Sequence, residues 1–384
     1  MRYLFDPIDN FFFRSAVPFE AGGETTTIAS LFPPLPSVYA GALRPYLADP
    51  AGGARRLKIG LNGLYLNGQF LFPQPLDMYP DPTEPTELDE GDLCLKAMGL
   101  TPTPLSSYPL PWMPTITTPP ATKSKQNYQL YLPAHKLTSY LQGAAQIAAF
   151  HLTDQYLCAE PQLGIAINPA TGTAQDKMIY QLTCQRPQNG LQLGCEAQGL
   201  ELTSGTIVPL GGEGKLATIH TSADTCTIGA PPTDISQRFF KLYLATPAIF
   251  ANGWLPRWIN PQTYQGCFAH RNHCISVKLL SACIGRPVPC GSFGTDPQDQ
   301  QRKPREMRYA VPAGSVYYFQ ITGERDSLAD AIRLFHQKCI SDYREGLGFD
   351  YEVFTRTRYC DRGFGYALVG LLTPEQLQEV SHAH

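Results

Sequence analysis

Two glycine clusters have the spacing most suggestive of chemistry: Gly211, Gly212 and Gly214 in LGGEGKL, and Gly363 and Gly365 in RGFGYALVG. Without a Cβ, glycine takes positive φ readily and lets backbone N–H groups approach a phosphate. A cation accompanies each cluster, Lys215 in the first and Arg362 in the second. The competing use is structural, a turn that sets a chain against a sheet before its next strand. Nucleotide fingerprints fit neither cluster. From Gly363 a dinucleotide G-x-G-x-x-G needs glycine at 368, where Leu368 stands. A P-loop through Gly214 and Lys215 needs glycine at 209 and a hydroxyl at 216, where Pro209 and Leu216 stand. RGFGYAL approaches the signature of RNA-recognition strands. In that module a helix follows the segment, whereas here a helix precedes it, which sets base stacking on this segment aside.

Cations make the second pattern. Residues 257–308 hold eight bases (Arg257, Arg271, Lys278, Arg286, Arg302, Lys303, Arg305, Arg308) and three acids, and Arg356, Arg358 and Arg362 follow. Phe293, Tyr309 and Tyr359 interleave with them, and a basic groove with aromatic platforms suits single-stranded RNA. The formal net charge is −3, so the whole molecule has no pull toward nucleic acid and RNA would have to use that local patch. CFAHRNHC offers Cys267, His270, His273 and Cys274, whose types suit zinc. Cys274 directly follows His273, which strains tetrahedral ligation, and an accidental meeting of Cys and His in a loop is the plainer reading. The eleven cysteines include no CxxC pair and read as reduced thiols. With no apolar leader and no run of 18 apolar residues, a cytoplasmic protein without a membrane partner or cofactor is expected.

The elements that must position these groups follow from periodicity and turn residues. YLFDPIDNFFF reads as a strand, Ser37–Leu47 as a short helix capped by Ser37, and RRLKIGLNGLYLNGQFLFP as strand, glycine turn and strand. Residues 73–120 hold 12 of the 35 prolines, so regular structure is not expected there. Asp77–Asp92 within it holds seven acids and no base, which reads as a solvated surface excursion. A hairpin is expected at about 161–186, around the polar tip NPATGTAQDK. After FFKLYLATPAIF, NGWLPRWIN reads as a short helical piece, Ser327–Tyr343 as a helix, and YALVGLL as a last strand. The second half therefore reads β-(α)-β-β-α-β. The first half can be read the same way, with insertions. The expected fold is α+β, with two ferredoxin-like (RRM-like, βαββαβ) domains at 1–236 and 237–384. The first domain carries a proline-rich insertion at about 73–127, and each glycine cluster opens its domain's last strand.

FFFRSAVPFEAGGETTTIASLFPPLPSVYAGALRPYL resembles the start of the RAMP subunit of type III-B (Cmr) CRISPR effector complexes that holds the 5′ tag of the guide RNA, the third Cmr subunit, at the foot of the complex. LFPQPLD, GIAINPATGTAQDKMIY, LGGEGK, YLATPAIF, IGRPV, YAVPAGSVYYF and GFGYALVGLL follow in the family's order across nearly the whole chain. The chain departs from the family in its proline-rich acidic segment and in VPCGSFG, where Phe293 stands nearest to an expected tryptophan. The resemblance implies a non-catalytic scaffold that binds the 5′ tag of CRISPR RNA. Its implied partners are the large Palm-domain polymerase/cyclase subunit and the adjacent backbone RAMP subunit. It places Arg14 and Arg44 against guide RNA, where guanidinium groups grip phosphate well; pairing with Glu20 or Glu24 is the alternative. Together with the glycine clusters and the basic patch read above, the expected RNA-binding set is Arg14, Arg44, Gly211, Gly212, Lys215, Arg286, Phe293, Arg302, Lys303, Arg362, Gly363 and Gly365. The alternative activity is a RAMP endoribonuclease that processes CRISPR RNA. Metal-free cleavage wants a base near neutral pKa, most simply histidine, and none of the eight histidines lies near the first expected helix.

Overall fold

The computed structural model describes residues 1–14, 27–47, 57–81, 93–103, 109–118, 129–222, 228–270, 273–291, 293–295, 302–304, 307–342 and 359–381. The first half supplies β1 (Arg2–Pro7), β2 (Thr27–Ala29), β3 (Lys58–Leu66), β4 (Gln69–Pro73), β5 (Met78–Pro80), β6 (Leu93–Ala97), β7 (Gly99–Pro102), β8 (Trp112–Thr115), β9 (Leu130–Pro133), β10 (Gln146–His151), β11 (Leu157–Ile167), β12 (Ala174–Pro187), β13 (Gln192–Gln198), β14 (Ile207–Pro209) and β15 (Leu216–Ser222). The second half supplies β16 (Phe239–Leu244), β17 (Gln265–His270), β18 (His273–Cys283), β19 (Val288–Cys290), β20 (Phe293–Thr295), β21 (Arg302–Pro304), β22 (Arg308–Ala310), β23 (Val316–Ile321), β24 (Lys338–Cys339) and β25 (Tyr366–Gly370). Helices are α1 (Pro36–Leu43), α2 (Ala134–Leu141), α3 (Leu328–Phe335) and α4 (Pro374–Ser381).

A ten-stranded sheet runs β14-β15-β1-β13-β3-β4-β9-β10-β6-β5, and a six-stranded sheet runs β17-β18-β23-β16-β25-β24. One four-strand order occurs in both: β15-β1-β13-β3 in the first half and β25-β16-β23-β18 in the second. In each, the last strand lies beside the first, then comes the third, then the second, and all neighbours are antiparallel. The protein is α+β as expected, but each half has only one of the two crossover helices anticipated. α1 joins first strand to second in the first half, and α3 joins third to last in the second half. The complementary crossovers, residues 199–215 and 245–264, hold turns, bridges and the short β14 but no helix. NGWLPRWIN lies in the second of these, closed by the bridges Phe250↔Gly253 and Asn252↔Leu255.

Apolar spacing explains where the sheets bury their faces. Tyr3, Phe5, Leu64 and Leu193 pack with Tyr39, Ala40 and Leu43 of α1 in one core cluster. Leu328, Ala331, Leu334 and Phe335 of α3, at helical spacing, pack on Phe240, Leu242 and Phe319 in another. The remaining faces of the two sheets meet each other. Leu4, Tyr65, Phe70, Leu132 and Tyr140 from the first half share a cluster with Tyr243, Leu280, Tyr318, Tyr366 and Leu368 from the second. Full burial of each such side chain is worth roughly 1.5–3 kcal/mol, so this cluster binds the halves firmly.

Several expectations are corrected locally. The helix begins at Pro36 with Leu35 at the N-cap, so Ser37 is inside it and makes no cap. Proline at N1 gives up no hydrogen bond and presets φ, which makes a side-chain cap dispensable. α3 does have its Ser327 cap, reciprocated by Asp330, but it ends at Phe335 rather than Tyr343. Gln337 takes φ +58° and its N–H bonds Ala367 O at 2.8 Å. That turn sends Cys339 into pairing with β25, so its burial comes from a sheet edge. The first strand covers only Arg2–Pro7. The proline-rich segment is not structureless: β5 to β8 lie in it, and β5 and β6 join the main sheet through β10. Asp77 and Asp81 are buried rather than solvated; Glu84, Glu87, Asp89, Glu90 and Asp92 lie outside the described residues. The hairpin is present as β11 and β12, slightly longer than expected. α4 closes the chain after the last strand and was not anticipated.

Candidate nucleic-acid interface

The two glycine loops occupy the positions expected of them, directly before β15 and β25. Their amides are largely used inside the protein. Gly212 N–H bonds Phe12 O at 2.8 Å, Gly363 N–H bonds Cys360 O at 3.3 Å, and Gly365 N–H bonds Pro247 O at 2.7 Å. Gly211 at φ +104° leaves no room for a Cβ, which would stand 2.5 Å from Phe12 O. Gly363 at φ +88° would place one 2.6 Å from Asn62 Nδ2. These glycines permit the close approach of protein to protein, so the structural use of the clusters outweighs a phosphate cradle.

Lys215 is likewise engaged. Its Nζ bonds Asp9 Oδ2 at 3.2 Å with the side chain only 12 % exposed. Arg186 bonds Asp9 as well and also Glu160. Arg186 first, then Lys215, holds the Asp9 carboxyl below its usual range. A cation already matched by carboxylates has little field left for phosphate. Arg362 is half-buried, its backbone bridging Ile59 in parallel, and it has interactions of its own.

The second loop does something the first does not: it joins the halves. Ile59 N–H bonds Asp361 O at 2.9 Å. Gly363 O accepts from Asn62 Nδ2 at 3.2 Å and from Thr246 Oγ1 at 2.8 Å. Beside it lies a small apolar seam of Leu35, Ile249, Cys290, Ala310 and Phe364, with Leu31, Val288 and Tyr359 packed against it. Burial there pushes the Cys290 thiol up to about 12. Several seam residues stand near candidate cations along the chain. Arg14 bridges Ser30 just before Leu31, and Arg44 follows α1, which starts beside Leu35. Arg286 precedes β19, and Arg308 opens β22.

Among these, Arg14, Arg44 and Arg286 are exposed and have no ion-pair partner among the described residues. The pairing of Arg14 or Arg44 with Glu20 or Glu24 falls outside the described residues. Arg308 is half-buried and engaged. Next to Arg286 opens a groove of about 530 Å³ lined by Trp254, Ala282, Ile284, Pro287, Tyr309 and Val311. Tyr309 is 59 % exposed, so its ring offers a platform at the groove's rim. Phe293, Lys303 and Arg302 lie on the two-stranded β20–β21 ribbon, which continues outward from β19 and β22. Sequence reasoning missed Trp254, which it placed in a helical piece. It also missed Leu163, Ile165 and Ile167, which stand exposed at alternate positions of β11.

The zinc constellation does not assemble. The β17–β18 register pairs Ala269 with Cys274 and His270 with His273. Strand alternation therefore puts Cys267 and Cys274 on one face and both histidines on the other. Among the described residues no group of three or more His, Cys, Asp or Glu could hold a metal. Among the described residues no histidine lines the groove. His220 Nε2 lies 3.0 Å from Asp6 Oδ2 on an open sheet face. His336 is buried; its Nδ1 accepts from Val369 N–H at 3.2 Å and its Nε2 faces Gly229 O at 3.0 Å. Among the described residues no helix is long and apolar enough to cross a membrane.

Comparison with known proteins bears on this arrangement. A family model described as CRISPR-associated protein (Cas_Cmr3) matches residues 3–371. A chain in a cryo-EM structure of the type III-B Cmr-beta complex bound to cognate target RNA is 15% identical, with a TM-score of 0.50 and coverage of 96% of each chain. A chain of Cmr-beta bound to cognate target RNA and AMPPnP, state 1, is 16% identical, with a TM-score of 0.46 and coverage of 83% of this chain and 86% of that one. No curated protein matches the sequence. At 15% identity the likeness to the first of these chains is one of fold.

Proposed function

The chain belongs to the Cas_Cmr3 family of CRISPR-associated proteins, and from that premise we propose that it is a non-catalytic RNA-binding scaffold of a type III-B effector ribonucleoprotein. Its two halves are ferredoxin-like units, each with one crossover helix reduced to turns. It binds the 5′ tag of CRISPR RNA along the seam and docks on the large Palm-domain subunit and the neighbouring backbone RAMP subunit in the cytoplasm. The observation that carries this reading is the seam itself. Three exposed arginines without ion-pair partners among the described residues, Arg14, Arg44 and Arg286, lie on segments of both halves that also carry the seam residues Leu31, Leu35 and Val288, and Arg286 stands beside the groove.

The physics favours RNA over a neutral partner. Guanidinium groups without carboxylate partners retain their attraction for phosphate, and a stacked base is worth about 1–3 kcal/mol on an aromatic platform. Trp254 and Tyr309 offer such platforms. The glycine loops contribute by fixing the seam rather than by holding phosphate.

The test is binding of the purified chain to labelled guide RNA with the repeat-derived 5′ tag, beside RNA with the tag scrambled, with products run on a denaturing gel. Preferential binding of the tagged RNA without cleavage is the expected result. Cleavage that persists in EDTA would establish the processing endoribonuclease instead. Retention of neither RNA would leave a protein-only scaffold.

A further inference from the structure

We propose that Cys267 and Cys274 form a reversible dithiol switch, closed to a disulfide across the β17–β18 hairpin by a hydroperoxide. This inference stands apart from RNA binding and rests on the hairpin's own geometry.

Ten cysteines lie among the described residues, and of these only Cys267 and Cys274 are exposed. Register sets them diagonally: Cys267 lies opposite Ser276, and Cys274 lies opposite Ala269. Residues directly opposite share a face, so both thiols project from the same side of the ribbon. They interact with each other, and Cys267 is the largest influence pushing the Cys274 thiol up. The histidines of the same motif are on the other face, so the pair is a dithiol and not part of a four-ligand metal site.

Diagonal Cα atoms in an antiparallel pair sit about 7–8 Å apart, at the outer limit of disulfide reach, whose usual range is roughly 4.4–6.8 Å. Among the described residues β17 is the outermost strand of its sheet and pairs only with β18. The two side chains are already close enough to hydrogen-bond each other, and closure requires the backbone of that edge strand to shift so that the Cα atoms come within disulfide range. Such a bond lies in the open, where a thiol reductant can reach it, which makes closure reversible.

The chemistry balances with one oxidant. One thiolate attacks the peroxide and takes its oxygen, the O–O bond breaks, and water or an alcohol leaves. The resulting sulfenic acid is attacked at sulfur by the second thiol. The S–O bond breaks, the S–S bond forms, and the hydroxyl departs with the second thiol's proton as water. Two electrons pass from the two sulfurs to the peroxide. Closure cross-links β17 before His270 to β18 after His273.

The test treats the folded full-length chain with hydrogen peroxide, blocks remaining thiols with an alkylating agent, and maps peptides without reduction. The expected product links the Cys267 and Cys274 peptides, reverts with dithiothreitol, and is absent from Cys267→Ser and Cys274→Ser variants. Both residues are exposed on an edge hairpin, so these variants fold. In each single variant the remaining thiol stops at the sulfenic acid or beyond, read by a dimedone adduct. Independent oxidation of the two thiols in the unaltered chain would overturn the proposal. So would a link that forms only after denaturation.

Discussion

The two halves share a strand order but use their glycine loops differently. Before β15, Gly211 and Gly212 press on Phe12 within the first half, so that loop closes its own unit. Before β25, Gly363 presses on Ile59, Gly60 and Asn62 of the other half, so the equivalent loop closes the molecule. The same local device therefore makes an internal latch in one repeat and an inter-half latch in the other. The helices divide similarly, α1 retained in the first half and α3 in the second. One consequence is a seam lined from both halves, with Leu31 and Leu35 meeting Ile249, Cys290, Ala310 and Phe364 beside the inter-half latch.

The largest effect should come from breaking the polar lock between the halves. Asp77 of the first half is fully buried and accepts from Tyr140 Oη at 2.8 Å, Tyr318 Oη at 2.7 Å and Lys241 Nζ at 3.5 Å. Lys241 also lies 3.6 Å from the centre of the Tyr140 ring. Burial pulls the Lys241 amine down and Asp77 opposes that shift. Asp77→Ala leaves the lysine uncompensated and should cost about 3–5 kcal/mol in denaturant unfolding. Replacing both partners with apolar residues should recover much of that loss. If Asp77→Ala unfolds like the wild type, the lock does not hold the halves.

The two latches separate at the next level. Gly363→Ala and Gly211→Ala each force a Cβ into positive φ and a close contact, which should cost about 1–3 kcal/mol. Only Gly363→Ala should also weaken RNA binding, because only that loop sets the seam. Equal binding losses from both variants would erase the distinction. A smaller effect follows from His336, whose burial holds its pKa below the ordinary 6.5. The unfolded chain then binds more protons as pH falls below 6.5, so this stability is present above 6.5 and is lost as pH drops through the folded value. His336→Gln should flatten that part of the pH–stability curve measured by thermal unfolding. An unchanged acid slope would remove His336 from the account.

Much of this was legible in the sequence where one residue type has one physical use. The Asn67-Gly68 turn between β3 and β4, with φ of 48° and 81°, follows from turn chemistry alone. So do the Ser327 cap and the β11–β12 hairpin. The misses arise where tertiary partners decide. Cys339 and Ile340 continue a helical spacing, yet a sheet edge buries them. Asp77 sits in an acid-rich, proline-rich run, and nothing local reveals that two tyrosines and a lysine from elsewhere enclose it. For the site, residue type identified the candidate cations. Which were already paired, as Lys215 is with Asp9, depended on contacts between residues far apart in sequence, 206 positions for that pair.

The most direct measurement is the salt dependence of binding to tagged guide RNA for the wild type and an Arg14→Ala/Arg44→Ala/Arg286→Ala variant. Each phosphate contact removed should lower the slope of log K against log salt by about 0.7 for a single strand. The account predicts a wild-type slope that falls by about 2 when all three arginines are gone, while thermal stability is unchanged. An unaltered slope would place the RNA elsewhere on the protein and contradict the seam as its binding site.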